Sequence, residues 1–290
     1  MQKALPEREE AGISRQDGSP TVITPENRAP FLDWRELWAY REVFYALIHR
    51  EIRIRYAQTL AGASWVILQP LLTAAVLTLL AGRVVHIPSQ GIAYTLFAVS
   101  GLIPWNYFNH ALTKSSICLV STGLVSKAYF PRLLLLFAAV AGGLIDLLVA
   151  SPVLAVLMIW YRTGPGWRLL LLPACMLPLL AATIGVGAWL SILNLYFRDV
   201  SHALPFFMQL TFFLTPVAYP IALIPDNLRW VYSVNPLVVA IELWRWSLFR
   251  GPFALPAREA IASATVGIVL LVSGLWYFRR AEPTIADVGD

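Results

Sequence analysis

The residues of this 290-residue chain that could do chemistry are few and scattered. A nucleotide-binding loop of the GxxxxGK[ST] type needs a lysine in a glycine-rich turn, and Lys3, Lys114 and Lys127 all lie outside such a context. HExxH and GxSxG patterns are also absent. The four histidines, which lack the spacing of metal ligands, are His49, His86, His110 and His202. The sequence therefore predicts a protein that is not an enzyme and binds no cofactor or metal itself.

Three charged residues in apolar surroundings are the remaining candidates. Asp146 lies deep inside a long apolar run, where a carboxylate is costly and is by default a functional hypothesis. The alternatives are that it accepts hydrogen bonds from a neighbouring helix or is protonated. Glu242 and Arg245 are spaced i, i+3 and would be neighbours on a helix. They are either a solvated pair or part of the lining of a path through the protein.

Composition indicates a membrane protein. Charged residues make up 13% of the chain and hydrophobic residues 58%, whereas soluble domains carry roughly 25% charged residues. The net charge of +5 is modest, and the basic residues stand beside apolar runs, so we expect no nucleic-acid binding. Cys118 and Cys175 form neither a disulfide framework nor a CxxC motif, and we expect both to be packing residues.

Six apolar segments are long enough to cross a bilayer, which takes about 20 residues of helix. They are residues 61–82, 92–113, 132–160, 169–195, 203–223 and 260–278. An even number puts both termini on one side. The segments on that side hold about twice as many Lys and Arg residues as the others, so the positive-inside rule predicts cytoplasmic termini. We expect residues 1–30 to be a disordered cytoplasmic tail and residues 31–290 to be the membrane domain.

Residues 34–56 predict an amphipathic helix ahead of the first span. Apolar and aromatic residues recur on one face at helical spacing, with Arg41 interrupting them, and charged residues lie mostly on the other face. This pattern favours a helix lying in the membrane interface, and the alternative is a helix packed on a soluble partner. The apolar face consists of Trp34, Leu37, Trp38, Phe44, Tyr45, Ile48 and Ile52.

A second short helix is predicted within residues 224–258, on the outer side. Asn235 is a favoured helix cap, and Pro236 suits the first helical position. The residues Arg250-Gly251-Pro252 end the helix. A helix of about 14 residues is too short to span a bilayer, so it is re-entrant or interfacial. The segment is therefore a candidate for lining or gating a path.

Residues 194–220 combine a polar turn with two prolines. Arg198 and Asp199 separate the fourth and fifth spans, and we predict a tight cytoplasmic turn in which Asp199 starts the next helix. Pro216 and Pro220 break the fifth span near the outer face. This one stretch would then connect the cytoplasmic side to the short outer helix.

Six stretches occur in order along nearly the whole chain after residue 34. They are RIRYAQTLAGASWVILQP (53–70), GLIPWNYF (101–108), LVSKAYFPR (124–132), NLYFRDVSHALPFFMQLTFFLTPVAYP (194–220), NPLVVAIELWRWSLFRG (235–251) and FRRAEPTIAD (278–287). Each stretch alone is weakly specific, but together they resemble the membrane subunit of type-2 ATP-binding-cassette exporters, in the branch that exports polysaccharides such as O-antigen, capsule and teichoic acid.

The resemblance implies an all-helical integral membrane fold with six transmembrane helices. It adds an N-terminal amphipathic interfacial helix and short re-entrant gate helices before the last span. Two copies of the chain would pair with two copies of a separate ATPase subunit, which uses the ATP. A lipid-linked polysaccharide would move across the inner membrane through a channel at the dimer interface.

The resemblance also assigns roles to residues of this chain. Coupling to the ATPase would involve Lys114, Lys127, Tyr129, Phe130, Pro131, Arg53, Arg55 and Tyr56. The gate would contain Pro216, Pro220, Asn235, Pro236, Glu242 and Arg245. The substrate path would include Trp105, Tyr107, Phe108 and Trp244. For the first three of these aromatic residues, a belt at the membrane interface is the alternative.

Three other functions stay open at this point. A type-2 exporter of a drug or small lipophile would share the fold. A membrane-embedded glycosyl enzyme would need acidic or metal-binding clusters, and the outer loops offer only Asp226, Glu242 and Glu259. An ion-coupled transporter would depend on Asp146.

Overall fold

The computed structural model describes residues 34–56, 64–84, 89, 91–120, 130–251 and 253–288, and these ranges contain helices and no strands. Short 3-10 turns precede α6 and connect α8 to α9. The helices are α1 (Trp34–Ala39), α2 (Arg41–Tyr56), α3 (Ser64–Leu77, continued by a π-helical segment Thr78–Val84), α4 (Tyr94–Ile117), α5 (Leu133–Trp160), α6 (Leu172–Cys175), α7 (Leu177–Tyr196), α8 (Asp199–Phe213), α9 (Arg229–Ser233), α10 (Pro236–Leu248) and α11 (Ala257–Val288).

Four helical segments in the described ranges are long and apolar enough to cross a membrane: Ser64–Ala81, Leu133–Trp160, Trp167–Tyr196 and Ala257–Glu282. The second predicted span is also a helix, α4, with 24 residues, but polar residues interrupt its second half. The fifth predicted span, 203–223, was wrong in extent, because α8 has 15 residues and ends at Phe213. At 1.5 Å per residue, α8 is shorter than the ~30 Å hydrocarbon core.

Helix α4 lies at the centre of the core, where it packs along α5 and α7, and α11 packs along the other side of α7. The α7–α11 contact depends on glycine. A Cβ atom on Gly185 would lie 2.5 Å from the backbone of Leu270 and Leu271, and one on Gly274 would collide with the Gly185 carbonyl. Backbones can approach this closely only where no side chain intervenes, as is common between membrane helices.

The predicted amphipathic helix forms as two pieces, α1 and α2, separated at Tyr40. Of the residues on the predicted apolar face, Leu37 is buried, whereas Trp38 and Tyr45 are 72% and 66% exposed. The predicted face is therefore divided between the interior of the protein and its surface.

Candidate functional site

The first candidate site surrounds Arg245 on α10, a residue that is almost completely buried. Its Nη1 donates to the carbonyl of Pro216 at 2.6 Å and its Nη2 to the carbonyl of Val217 at 2.6 Å. The guanidinium also lies 3.8 Å from the ring centroid of Phe97 on α4. A buried guanidinium is stable only when its donors are satisfied. Arg245 therefore fastens three chain segments together, and we call this cluster the arginine clamp.

The clamp satisfies backbone carbonyl groups of the non-helical chain beyond α8. Buried carbonyl groups outside regular structure need donors from elsewhere in the protein, and Pro216 and Val217 lie three and four residues after Phe213, where α8 ends. Nearby, Tyr94 donates its hydroxyl to the Ala218 carbonyl at 2.6 Å. The chain beyond α8 is thus held to α4 by side chains instead of by a continuing helix.

Asn235 joins the end of α8 to the start of α10. Its Oδ1 accepts from the Leu237 amide at 3.0 Å, which confirms the predicted cap, and its Nδ2 donates to Thr215 Oγ1 at 2.9 Å. Pro236 occupies the first turn of α10, which has 13 residues, and the buried Pro220 precedes the 3-10 turn Ile221–Leu223. Of the predicted gate residues, Asn235 is therefore joined to the chain next to Pro216, and Pro236 follows Asn235 directly.

Glu242 completes this cluster. Its carboxylate lies 3.6 Å from Arg245 Nη1, and the two side chains are 3% and 4% exposed. The interpretation as a solvated surface pair is therefore wrong. Within the described residues Glu242 Oε1 has no hydrogen-bond partner, so its stabilisation there comes from the charge of Arg245.

A second candidate site is a polar cavity of about 200 Å³ bordered by α2, α3, α4 and α5. Arg55 at the end of α2 donates to Asp146 in the middle of α5. His110 Nε2 lies 3.9 Å from the same carboxylate. The expectation that Asp146 accepts a hydrogen bond from a neighbouring helix is confirmed, and Arg55 is the donor. The other polar lining residues are Gln69, Asn106, Asn109 and Thr113.

The four aromatic residues predicted to line a substrate path are all buried within the chain. Trp105 packs its ring 5.4 Å from Phe212 of α8, centroid to centroid. Tyr107 borders the polar cavity, whereas Phe108 borders an apolar cavity of about 420 Å³ between α4, α7 and α8. The burial of Trp105, Tyr107 and Phe108 argues against a belt at the membrane interface, which would need exposed rings.

The residues assigned to ATPase coupling are only partly described. Lys127 and Tyr129 lie outside the described residues, as does the side chain of Tyr56. Lys114 is half-buried at the end of α4, Arg53 is exposed, and Phe130 and Pro131 are buried beside the start of α5. The structure brings Lys114 and Arg55 to the edge of one small cavity between α2 and α5.

The turn at Arg198–Asp199 has the predicted place, since α7 ends at Tyr196 and α8 starts at Asp199. Asn194 fixes this turn, because its Oδ1 accepts from the Ser201 amide at 3.1 Å and its Nδ2 donates to the Ser116 carbonyl at 2.9 Å. Asn194 was not among the residues predicted to be functional. Its position at the end of an apolar run, four residues before Arg198, was a signal that the sequence offered.

Within the described ranges no three His, Cys, Asp or Glu side chains come close enough to hold a metal ion. Several helices are apolar and long enough to cross a bilayer. Charged groups form ion pairs inside the bundle. Together these features define a multi-pass membrane protein. Residues 42–249 match the family of ABC-2 type transporters. The chain belongs to this family.

Curated relatives match the chain along most of its length. It is 30% identical to the O-antigen export system permease protein RfbA of Myxococcus xanthus over 255 residues, which cover 86% of this chain and 96% of that protein. It is 27% identical to the protein of the same name from Klebsiella pneumoniae over 252 residues, covering 85% and 95% of the two chains. It is 29% identical to the polysialic acid transport protein KpsM of Escherichia coli over 255 residues, covering 82% and 92%.

Proposed function

We propose that the chain is the permease subunit of an ATP-driven exporter that moves a lipid-linked polysaccharide across the inner membrane. The observation that carries this proposal is the nearly end-to-end similarity to two kinds of polysaccharide transport protein, O-antigen export permeases and a polysialic acid transporter. A shared fold alone does not define a substrate. Here the similarity extends through the segments that form both candidate sites.

The proposed topology has six crossings with both termini in the cytoplasm. Helix α4 is the second crossing, in which the polar residues face the cavity containing Asp146, and α8 with the turns after it is the fifth. Helices α9 and α10 are re-entrant on the outer side. Their non-helical connections are tolerated at membrane depth because side chains such as Arg245 satisfy the backbone.

In the proposed mechanism the chain makes and breaks no bonds. Two copies form the path, and two copies of a separate ATPase subunit bind and hydrolyse ATP. Closure of the ATPase dimer would move the segment of residues 114–131 and the end of α2, and the bundle would respond by exchanging inward-open and outward-open states. Such an exchange requires that the ATPase has different affinities for the two states.

The clamp would transmit this movement to the outer side. Helix α8 begins at the cytoplasmic turn and ends at Phe213, three residues before Pro216, and the carbonyls of Pro216 and Val217 accept hydrogen bonds from Arg245 of α10. A displacement of α8 therefore displaces α10 directly. We assign gating to α10 on this ground.

Deletion of the gene followed by complementation tests the proposal. Cells that lack the chain should lose surface polysaccharide and accumulate lipid-linked polymer inside, as measured by gel analysis of polymer from intact and lysed cells. The wild-type gene should restore surface display in cells that make the partner ATPase, and not in cells that lack it. Normal surface polymer in the deletion strain, with altered tolerance to a drug instead, would point to a small-lipophile exporter and contradict the proposal.

A further inference from the structure

A further cavity lies between the end of α5, the turn after it, and α10. Its volume is about 460 Å³, within the ~300–1,000 Å³ range of small-molecule sites. Most of its wall is apolar, with Leu154, Met158, Leu172, Trp244 and Leu248 among the lining residues. One charged residue, Arg162, also lines it.

The backbone of Arg162 is unusual. Its φ of 54° is the only positive φ at a non-glycine residue in the described ranges. The Arg162 amide bonds to the Ile159 carbonyl at 3.1 Å and the Thr163 amide to the Met158 carbonyl at 2.9 Å. These two bonds form the Schellman motif that ends many helices, in which glycine is the favoured residue at this position. The chain thus carries an arginine where glycine would be easier, and this places a cation at the mouth of the cavity.

Two more arginines lie close to the turn after α5. Arg250 is exposed, and its Nη2 lies 3.7 Å from where a Cβ of Gly164, a lining residue, would be. Arg168 donates to the Gly251 carbonyl at 2.7 Å and lies over the ring of Trp246 at 4.7 Å. None of the three arginines takes part in an ion pair among the described residues. An apolar cavity with a mouth of uncompensated positive charge suits an anion with an apolar tail.

The surface around the cavity has the character of a lipid contact. Ile159 and Leu170 are 78% and 85% exposed, and Trp160 and Trp167 are 78% and 70% exposed beside them. Exposed tryptophans mark the level of lipid headgroups, and aliphatic residues mark the hydrocarbon region next to it. The arginines therefore lie at the depth of lipid phosphates.

We propose that this cavity binds an anionic glycerophospholipid, with one acyl chain against Trp244 and Leu154 and its phosphate between Arg162 and Arg250. A free phosphate would leave the apolar cavity unused. A zwitterionic phospholipid would bring its own cation to the arginines. The bound lipid would pack against α10, so it would stabilise the segment to which we assign gating. Binding itself does not depend on which substrate the protein exports.

The test uses the full-length protein purified from its membrane in mild detergent with its bound subunits. Native mass spectrometry measures the affinity for dioleoyl-phosphatidylglycerol and, as reference, dioleoyl-phosphatidylcholine. We expect one phosphatidylglycerol per chain to bind at least tenfold more tightly than phosphatidylcholine. Arg162→Gly should weaken phosphatidylglycerol about fivefold, and Arg162→Gly with Arg250→Gln about thirtyfold, because each arginine near the phosphates contributes about 1 kcal/mol.

A stability measurement, a neutral control variant and a cavity-filling variant distinguish loss of the site from loss of the fold. Arg162→Gly installs the residue that the backbone prefers, so its melting temperature in phosphatidylcholine should not fall. Arg258→Gln removes an exposed arginine at the start of α11 and should leave binding unchanged. Ala155→Phe, at an exposed position that lines the cavity, should fill it and weaken both lipids.

The proposal is overturned if the wild-type protein binds the two lipids equally or if the double arginine variant keeps wild-type affinity for phosphatidylglycerol. It is overturned equally if Ala155→Phe binds as the wild type does, or if the site retains a polyprenyl phosphate that phosphatidylglycerol cannot displace. Each of these outcomes leaves the export assay untouched, so the two proposals fail separately.

Discussion

Arg245 and Pro216 are 29 residues apart in the chain, and a 2.6 Å hydrogen bond from the Arg245 guanidinium to the Pro216 carbonyl joins them in the buried part of the bundle. The same guanidinium reaches the Val217 carbonyl at 2.6 Å. One planar cation therefore satisfies two acceptors at the point where α8 stops. A lysine ammonium carries the same charge but has no planar fork of donors.

Arg245→Lys should therefore destabilise the protein. One of the two carbonyls would be left without a donor, and Glu242 would keep a less well placed partner. We expect a loss of about 3 kcal/mol, which corresponds to a fall in melting temperature of about 6–12 °C for a chain of this size. Thermal melting of the purified protein measures it. Arg258→Lys, at an exposed position at the start of α11, is the matched control and should melt like the wild type.

A second prediction concerns Gly101 of α4, which lies beside the clamp. A Cβ there would collide with Arg245 Nη2 and would lie 2.6 Å from the Val217 carbonyl oxygen. Gly101→Ala should reduce both stability and export, because the arginine would be pushed away from its acceptors. Gly142→Ala on α5 is the control, since its Cβ would meet only Glu51 Cβ at 3.5 Å. Alanine favours helix over glycine by roughly 0.5–1 kcal/mol, so this control should melt slightly higher.

Equal effects of the two alanine substitutions would contradict the importance of the clamp. Expression level and melting temperature are measured before export, so that a protein that fails to fold is not mistaken for one that fails to open.

Local features of the fold were predictable from the sequence. Apolar segments located all the long helices, and the Asn235–Pro236 pair located the start of α10, because helix starts depend on neighbouring residues. The fifth apolar span was predicted to end at residue 223, ten residues beyond the end of α8, although a break at Pro216 and Pro220 was predicted within it. Apolar composition continues past Phe213, and the backbone change that precedes Pro216 leaves little trace in hydropathy.

Partners distant in sequence were not predictable. Asp146 and Arg55 are 91 residues apart, and Arg245 and Phe97 are 148 residues apart. One sequence reveals that a charge in an apolar run needs a partner, but not which residue supplies it. Arg55 was assigned to ATPase coupling for this reason, and the structure places its guanidinium on Asp146.

Asp146 gives a test that also addresses ion coupling. Asp146→Asn should leave the Arg55 charge without its carboxylate in a setting where the Asp146 side chain is only 8% exposed. We expect a loss of roughly 2–3 kcal/mol, seen as a lower melting temperature. Arg55→Gln combined with Asp146→Asn should recover part of this loss, since the charge that lost its carboxylate is then removed as well. His49→Gln on the exposed face of α2 is the control.

Export should persist in the double variant at wild-type ion gradients. If export stopped in the well-folded double variant while ATP hydrolysis continued, Asp146 would have a role in transport itself, and an ion-coupled step would replace the structural interpretation.

The last prediction concerns Glu282, near the end of α11. It contacts Arg132, where the proposed coupling segment meets the start of α5. Its Oε1 accepts from the Arg132 amide at 3.0 Å, and its backbone carbonyl accepts from Arg132 Nη1 at 3.0 Å. Its Oε2 accepts from Arg279 Nη1 at 3.0 Å, and Arg279 lies 3.9 Å from Glu36 of α1. One carboxylate thus connects α11, the start of α5 and, through Arg279, α1.

Glu282→Ala should loosen the start of α5 without unfolding the bundle, because these contacts are only partly buried and lie at the end of the bundle that we propose to be cytoplasmic. Under the proposed function, ATP hydrolysis by the complex should continue while polymer export falls several-fold, since movement of the ATPase would no longer pass fully to α5. Glu282→Gln should keep the Oε1 contact with the Arg132 amide and retain more export. Arg280→Gln, at an exposed neighbour lying over Trp276, is the control. A parallel fall of hydrolysis and export in Glu282→Ala would instead indicate that the subunits no longer assemble, and co-purification of the ATPase distinguishes the two results.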